Sequence, residues 1–270
     1  MNLREDRTMT ELTAERARRA IVEYTRRLAE SAAVAGPDAA VPTAPEWTVA
    51  ELVEHVGQTQ NWVAEIIERR ITDPAQLPTE YALLPADPGG WPAWLSDAAQ
   101  RVAEACSDDA IDAPVFNAAG DGRTGTQFWT ASVLNETVVH GFDAAAAANR
   151  PADVDADIAA ALISNHFAML TSPTWAMLRP ESAQALRGTG QTLQWLATDT
   201  ADAWLVERSP DAATWQPLSR PADVTVTGPA ATMLRILTRR LPLAGRSDIG
   251  VDGDAALVRH WLDNTAHISD

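Results

Sequence analysis

The stretch Trp129–Ala148, WTASVLNETVVHGFDAAAAA, decides how the N-terminal part of this chain folds. It contains no proline and, before Gly141, no glycine, and it is rich in alanine, so it predicts one long helix. At about 100° of rotation per residue, Glu136, His140 and Asp143 fall within an arc of about 60° on one face of that helix. A carboxylate and an imidazole one turn apart can bind a single divalent cation from one rigid element.

This polar face has two interpretations. Leu134, Val138 and Phe142 form an apolar stripe on roughly the opposite side, so the polar arc could be a solvated surface. However, Trp129 and Ala144 share that arc and no arginine does, whereas a solvated face usually pairs acidic with basic residues. The helix alone leaves a metal site and a solvated face open, because a glutamate and a histidine at this spacing are common by chance.

Length and charge limit the classes of protein to consider. The chain has 270 residues, enough for one large domain or two small ones, and 46% of them are hydrophobic, which argues against wholesale disorder. The net charge of −16 argues against nucleic acid and anionic membranes as partners. Residues 1–11 are charged and lack the apolar segment of a signal peptide, and no apolar run spans a membrane, which predicts a cytoplasmic protein.

The chain lacks two reactive side chains. Every basic residue is an arginine, which excludes Schiff-base and P-loop chemistry because both need a lysine. Cys106 is the single cysteine, so no internal disulfide and no thiolate metal cluster can form. It lies on the apolar side of a predicted helix, which is typical of a core residue. A thiol-based activity would therefore take its sulfur from a small molecule.

The rest of the pattern predicts a helical bundle followed by a smaller α+β domain. Further helices are predicted at residues 10–34, from a capping box of Thr48 and Glu51 to about residue 70, at 91–106 and at 155–170. The Pro-rich segment 71–90 is a loop long enough to cover a functional site, and GDGRTG at 120–125 is a turn.

From Gln191 the sequence changes period. Short runs rich in β-formers alternate with turn residues, a helix begins at Pro229, and a last helix follows the short strand or turn IGVDGD. The change near residues 176–190 predicts two domains, residues 1–183 and residues 184–270.

The sequence around two further histidines indicates their roles. His55 lies at the edge of the apolar arc of the second helix, near Thr59 and Trp62, where a lone histidine is more often a core residue than a ligand. His166 has no acidic or histidine neighbour one turn away, which favours a structural role.

Three motifs together resemble a known family. WTVAELVEH in the second helix, ETVVHGFDA in the fourth, and a C-terminal DVTVTGPAATMLRILTRRLPL followed by VDGDAALVRHWL are similar to the mycothiol-dependent maleylpyruvate isomerase family. The resemblance covers nearly the whole chain and implies a DinB-like four-helix bundle joined to a small α+β domain. Matched by position, it implies that His55, Glu136 and His140 bind zinc, or another divalent metal, and that Asp143 orients the ring of His140.

The resemblance also implies an activity. A metal-activated thiol, mycothiol, would add to an electrophilic small molecule, and the outcome would be cis–trans isomerisation or S-transfer. A non-catalytic binding or stress-response protein is the alternative, and hydrolysis with Asp143 as base is a third. Arg123, Arg239 and Arg240 are candidates to bind an anionic substrate, although an arginine at any one of these positions is more often a surface residue. The protein is expected to be a monomer or a homodimer.

Overall fold

The computed structural model describes residues 12–265, which divide into two compact units. The first unit comprises Thr13–Ala118 and Gly122–Asp153; the second comprises Ala119–Asp121 and the chain from Val154 onward. The charged segment 1–11, and with it the first two residues of the helix predicted at 10–34, lies outside the described residues.

The first unit is a bundle of four helices, as predicted. They are α1 (Ala14–Ala35), α2 (Val49–Glu68), α3 (Trp91–Ala105) and α4 (Gly125–Ala147). Helix α1 packs against α3 and α4, and α2 packs against the same two helices, so α2 and α4 are neighbours in the bundle. Side chains around the start of α2 form a buried apolar core, among them Leu28, Val41, Val49, Leu52, Val53, Val56 and Leu95.

Helix α4 begins earlier than the sequence predicted. Thr124 and Gln127 form a capping box in which the threonine hydroxyl accepts from the Gln127 N–H and the glutamine side chain accepts from the Thr124 N–H. Gly125, which the sequence pattern predicts to lie in a turn, is the first residue of the helix. Only glycine fits there, because a Cβ atom would lie 2.0 Å from the carbonyl oxygen of Val115.

A short hairpin precedes α2 and was not predicted. Strands β1 (Ala40–Val41) and β2 (Ala44–Thr48) pair antiparallel, with Ala40 opposite Thr48. Thr48 ends the hairpin and also caps α2 through the predicted capping box with Glu51, so the chain passes from strand to helix without a linker. The hairpin is thereby fixed against the N-terminus of α2.

The second unit contains the predicted α+β arrangement. Its sheet has the strand order β5–β4–β3–β6–β7, in which β3 and β6 are parallel and the other pairs are antiparallel. Its elements are α5 (Ala156–Leu170), α6 (Pro173–Leu178), α7 (Pro180–Ala185), β3 (Gln191–Ala197), β4 (Ala203–Arg208), β5 (Ala213–Gln216), β6 (Val224–Gly228), α8 (Ala230–Leu237), β7 (Gly250–Gly253) and α9 (Ala255–Asn264).

The division between the compact units falls after Asp153, whereas the sequence predicts a domain boundary after residue 183. Helix α5 packs with the second unit: the ring of Phe167 lies 6.2 Å from the rings of Trp195 and Trp261, and Trp204 donates to the hydroxyl of Ser164. An aromatic core therefore joins α5 to the sheet. As a limit between evolutionary domains, residue 183 stays a prediction.

None of the helices within residues 12–265 combines the length and the apolar composition needed to cross a bilayer.

Candidate metal centre

Two helices of the first unit bring together the three side chains that the family resemblance singled out. His55 comes from α2, and Glu136 and His140 come from α4. Glu136 Oε2 lies 3.1 Å from His55 Nε2 and 3.2 Å from His140 Nε2, and one donor atom from each residue lies within 4.8 Å of the others. Among the residues that the structure describes, these form a group with the geometry of a metal site.

The register of α2 against α4 explains why these side chains meet. His55 and Trp62 are seven residues apart on one face of α2, and Trp129 and Glu136 are seven apart on one face of α4. His55 contacts Glu136, and the rings of Trp62 and Trp129 are 5.3 Å apart, so the two helices run antiparallel in a fixed register. The aromatic pair two turns away thus holds the helices where the polar residues converge.

The site is open on one side and closed on the other. The side chains of His55 and Glu136 are each 37% exposed, whereas the side chain of His140 is 8% exposed. A ligand can therefore approach beside His55 and Glu136, while His140 is fixed against the interior of the bundle.

Asp143 fixes the orientation of the His140 ring. Its side chain is 1% exposed, and its Oδ2 accepts from His140 Nδ1 at 2.9 Å, which leaves Nε2 directed at Glu136. The Thr43 hydroxyl in the turn of the hairpin donates to Asp143 Oδ1 at 2.5 Å. A carboxylate held between a hydroxyl and an imidazole is suited to orient the ring, and its engagement there disfavours Asp143 as a base for hydrolysis.

Trp47, on strand β2, covers the two imidazole rings. Its ring centroid is 5.6 Å from that of His140, with the planes 20° apart, and 5.1 Å from that of His55. The two imidazoles are themselves 4.9 Å apart and nearly perpendicular. Neither Trp47 nor Thr43 was identified from the sequence, because the Pro-rich segment around them indicated only a break between helices. A tryptophan directly before a capping threonine was the available signal.

Mutual hydrogen bonding stabilises the charged forms of the group. Partial burial disfavours charge on Glu136, but hydrogen bonds with His140 and His55 outweigh it and hold the pKa of Glu136 well below its usual range. Burial likewise opposes the imidazolium of His140, and hydrogen bonds to Asp143 and Glu136 overcome it and raise the pKa of His140 to about 9. Glu136 and the His140 ring therefore form a charged pair at neutral pH, and a metal that binds His140 Nε2 would displace the proton from that nitrogen.

The donor set fits a divalent metal such as zinc. Two imidazole nitrogens and one carboxylate oxygen are ligands typical of zinc enzymes, which keep a further position for water or substrate. Zinc bonds of about 2.0–2.1 Å in a tetrahedron place ligand atoms roughly 3.3 Å apart. The distances of 3.1 and 3.2 Å from Glu136 to the imidazoles are close to this value.

The segment at 71–90 is a loop, as predicted, with one 3-10 turn at each end (Pro74–Gln76 and Pro88–Gly90), and part of it lies against α2. The indole of Trp62 donates to the carbonyl of Pro78 at 2.9 Å, and the amide of Gln58 donates to the carbonyl of Ala82 at 3.2 Å. Both donors lie within seven residues of His55 on the same helix. The role of this loop as a cover stays a prediction.

The cysteine, the remaining histidine and the arginines that the sequence singles out have the following surroundings in the structure. Cys106 is buried, and burial raises the pKa of its thiol to about 11, in agreement with the predicted core position. His166 is buried on α5 in the second unit. The Arg123 guanidinium lies 5.3 Å from the ring centroid of Phe128, and Arg239 pairs with Asp263 at 3.4 Å. Substrate binding by Arg123, Arg239 or Arg240 stays a prediction.

The chain thus has a helical bundle that carries a His/Glu/His group, followed by a small α+β unit. Residues 18–145 match the family model of the mycothiol maleylpyruvate isomerase N-terminal domain, which confirms, over the helical bundle, the resemblance that the motifs predict. No curated protein matches the chain in sequence.

Two crystal structures share the fold over most of the chain. One is a mycothiol-dependent maleylpyruvate isomerase, with 16% identity and a TM-score of 0.53; the match covers 91% of this chain and 95% of that chain. The other is a histidine-to-alanine mutant of a mycothiol-dependent maleylpyruvate isomerase, with 15% identity, a TM-score of 0.52 and the same coverage. The combination of helical bundle and α+β unit in this chain is thus the isomerase fold.

Proposed function

We propose that this protein is a metal-dependent enzyme that activates a low-molecular-weight thiol, mycothiol, for addition to an electrophilic small molecule. The reaction is either cis–trans isomerisation of a maleylpyruvate-like substrate or S-transfer to an electrophile. We place it in the cytoplasm, as a monomer or a homodimer without nucleic-acid or membrane partners. The observation that carries the proposal is the convergence of His55, Glu136 and His140 within 4.8 Å.

Each side chain has a distinct task in this proposal. His55 and His140 would hold the metal through Nε2, and Glu136 would hold it through Oε2. A bound zinc ion supplies the Lewis acidity that converts a coordinating thiol into the nucleophilic thiolate at neutral pH. Asp143 accepts from Nδ1 of His140, so that Nε2 is the nitrogen that would bind the metal, in exchange for its own proton.

The open side of the group supports catalysis over a purely structural metal. Structural zinc sites are usually closed by a fourth protein ligand, whereas catalytic sites have three and remain accessible. Within residues 12–265 the group consists of three such residues, and two of them have side chains that are 37% exposed. The space beside His55 and Glu136 would admit the thiol and the electrophile.

The thiol is expected to come from outside the protein. Cys106 is buried and its thiol pKa of about 11 keeps it protonated at neutral pH, so it is unsuited to act as a nucleophile. A supplied thiol agrees with the mycothiol dependence of the isomerases that share this fold. The alternative is a non-catalytic member that binds a metal or small molecule without turnover.

The metal is tested first by elemental analysis of the purified protein. We expect about one zinc ion per chain, lost in His55→Ala and in Glu136→Ala because each variant leaves only two ligands. His260→Ala, which removes an exposed histidine of the second unit, is the matched control and should keep the metal. Full metal content in both ligand variants would rule out the assignment.

The reaction is tested by product identification. Metal-loaded protein is incubated with maleylpyruvate or with an activated electrophile, with and without mycothiol. Isomerisation gives the trans isomer and leaves the thiol unconsumed, whereas S-transfer consumes one thiol per product. Metal binding without turnover of any electrophile would favour the non-catalytic alternative, and turnover at an equal rate without thiol would favour hydrolysis.

A further inference from the structure

The β1–β2 hairpin reaches the metal ligands at two separate points. In its turn, Thr43 donates to Asp143 Oδ1 at 2.5 Å, and Asp143 in turn accepts from His140 Nδ1 at 2.9 Å. On its second strand, Trp47 lies against the rings of His55 and His140, at 5.1 and 5.6 Å between centroids. One short element therefore contacts the environment of both imidazoles, although it contributes no ligand itself.

The hairpin is held firmly enough to transmit this constraint. Its last residue, Thr48, caps α2 together with Glu51, and the first backbone N–H of α2, on Val49, donates to the carbonyl of Ala39 at 2.9 Å. Trp47 directly precedes Thr48, the capping residue of α2, and His55 lies on α2. The position of Trp47 is therefore fixed relative to His55. The Thr43–Asp143 hydrogen bond fixes the other end of the hairpin to α4.

We propose that this hairpin positions the metal ligands, with Thr43 acting on His140 through Asp143 and Trp47 acting on both imidazole rings by direct contact. Thr43 and Trp47 are thus positioning residues of the site. The inference rests on the proposed metal site, and it adds the element that brings a ligand of α2 and a ligand of α4 into one orientation.

The chemistry of each contact supports this role. A hydroxyl that donates to Oδ1 directs the other carboxylate oxygen to the imidazole N–H, and such outer partners of a metal-ligating histidine strengthen metal binding. A tryptophan ring stacked at 20° on His140 and tilted at 58° to His55 restricts rotation of both imidazoles. With the rings restricted before the metal arrives, less conformational entropy is lost on binding.

The experiment measures zinc affinity of metal-stripped full-length protein by competition with a chromophoric chelator. Thr43→Val keeps the shape of the side chain but removes the hydroxyl, and it should weaken zinc binding about tenfold, the lower end of the effect of outer hydrogen-bond partners. Thr43→Ser keeps the hydroxyl and should restore wild-type affinity. Trp47→Leu should weaken binding by a similar factor, and Trp47→Phe, which keeps an aromatic ring, should weaken it less.

Stability of the metal-free variants separates positioning from a merely structural role. A structural role would lower the denaturant midpoint of the metal-free protein and leave the zinc affinity of the folded protein unchanged. If Trp47→Leu does not fold, the Thr43 pair and Trp47→Phe still decide the question. Tryptophan fluorescence gives an independent readout: zinc should change the emission of the wild type, and that change should shrink in Trp47→Phe.

The outcomes are distinguishable from those of the proposed function. Affinities of Thr43→Val and Trp47→Leu within twofold of wild type would overturn the positioning role and leave the metal site intact. A wild-type protein that binds neither zinc nor Co²⁺ would remove the metal site, and the positioning role with it. Weakened binding in Thr43→Val with recovery in Thr43→Ser supports the inference.

Discussion

The carboxylate of Asp143 offers the sharpest test of how the protein prepares its metal site. Its side chain is 1% exposed and lies between the Nδ1–H of His140 and the hydroxyl of Thr43. In Asp143→Asn the amide oxygen can still accept from His140, and the amide N–H₂ can donate to Thr43 if that hydroxyl rotates. The substitution therefore removes the negative charge while it retains the shape and the number of hydrogen bonds.

The expected magnitude follows from that charge. A hydrogen bond to a charged group contributes about 1.5–3 kcal/mol net, and a neutral one contributes about 1 kcal/mol. The difference, about 0.5–2 kcal/mol, corresponds to a loss of roughly 2- to 30-fold in zinc affinity, since about 1.4 kcal/mol is a factor of ten. This overlaps the 10- to 100-fold range typical of such partners of metal-bound histidines.

The assay is a competition titration of metal-stripped protein with zinc and a chromophoric chelator at fixed pH and ionic strength. Asp97→Asn, which removes an exposed charge from α3 in the same unit, is the control for the change in net charge and should bind zinc as the wild type does. Equal affinities of Asp143→Asn and wild type would refute the idea that Asp143 acts on the metal through His140.

Four further variants test the stability of the protein. Gly57→Ala should lower the denaturant midpoint, because the new Cβ would lie 2.1 Å from the ring of Trp94 and overpacking costs about 1–3 kcal/mol. In Gly141→Ala on α4 the new Cβ meets nothing within 4 Å, so this variant should be more stable than the wild type by up to about 1 kcal/mol. Arg239→Gly should stabilise the second unit by about 1 kcal/mol, because Arg239 has a φ of 65° after α8; equal midpoints in chemical unfolding would contradict this. Folding raises the pKa of the Cys106 thiol from 9.0 to about 11, so its contribution to the free energy of unfolding, about 2–3 kcal/mol, is present below pH 9 and is lost as the pH rises towards 11. In unfolding titrations between pH 9 and 11, Cys106→Ala should therefore lose less stability than the wild type.

The fold was predictable where local patterns carry it. The capping box of Thr48 and Glu51 and the alternating runs after Gln191 indicated the start of α2 and the strands of the second unit before any packing was known. The helix predicted from Trp129 begins four residues earlier, at Gly125. A glycine there is typical of a turn, and its fit beside the Val115 carbonyl depends on a tertiary contact. A local sequence pattern does not indicate contacts between residues that are distant along the chain.

The site was only partly predictable for the same reason. Glu136 and His140 lie one turn apart on a helix, so spacing alone suggested them, whereas His55 lies 81 residues before Glu136 and entered through the family motif. Thr43 and Trp47 come from a hairpin whose short strands follow no clear period. The role of a residue that acts through a neighbouring side chain can be inferred only when the structure shows that contact.

The choice between isomerisation and S-transfer depends on what happens after a thiol has added to the substrate. Isomerisation requires the adduct to rotate and expel the thiol at the same site, whereas S-transfer requires the adduct to leave intact. The residues of the metal group serve the first step of both reactions, so exchanging His55, Glu136 or His140 should abolish either one. The discriminating groups must therefore be those that hold the rest of the substrate. A variant of whichever of Arg123, Arg239 and Arg240 contacts an anionic substrate should change the Michaelis constant for that substrate and leave the zinc content unchanged. A variant of any of these arginines that lost zinc would show instead that it supports the metal site, and unaltered Michaelis constants in all three would remove them as substrate ligands.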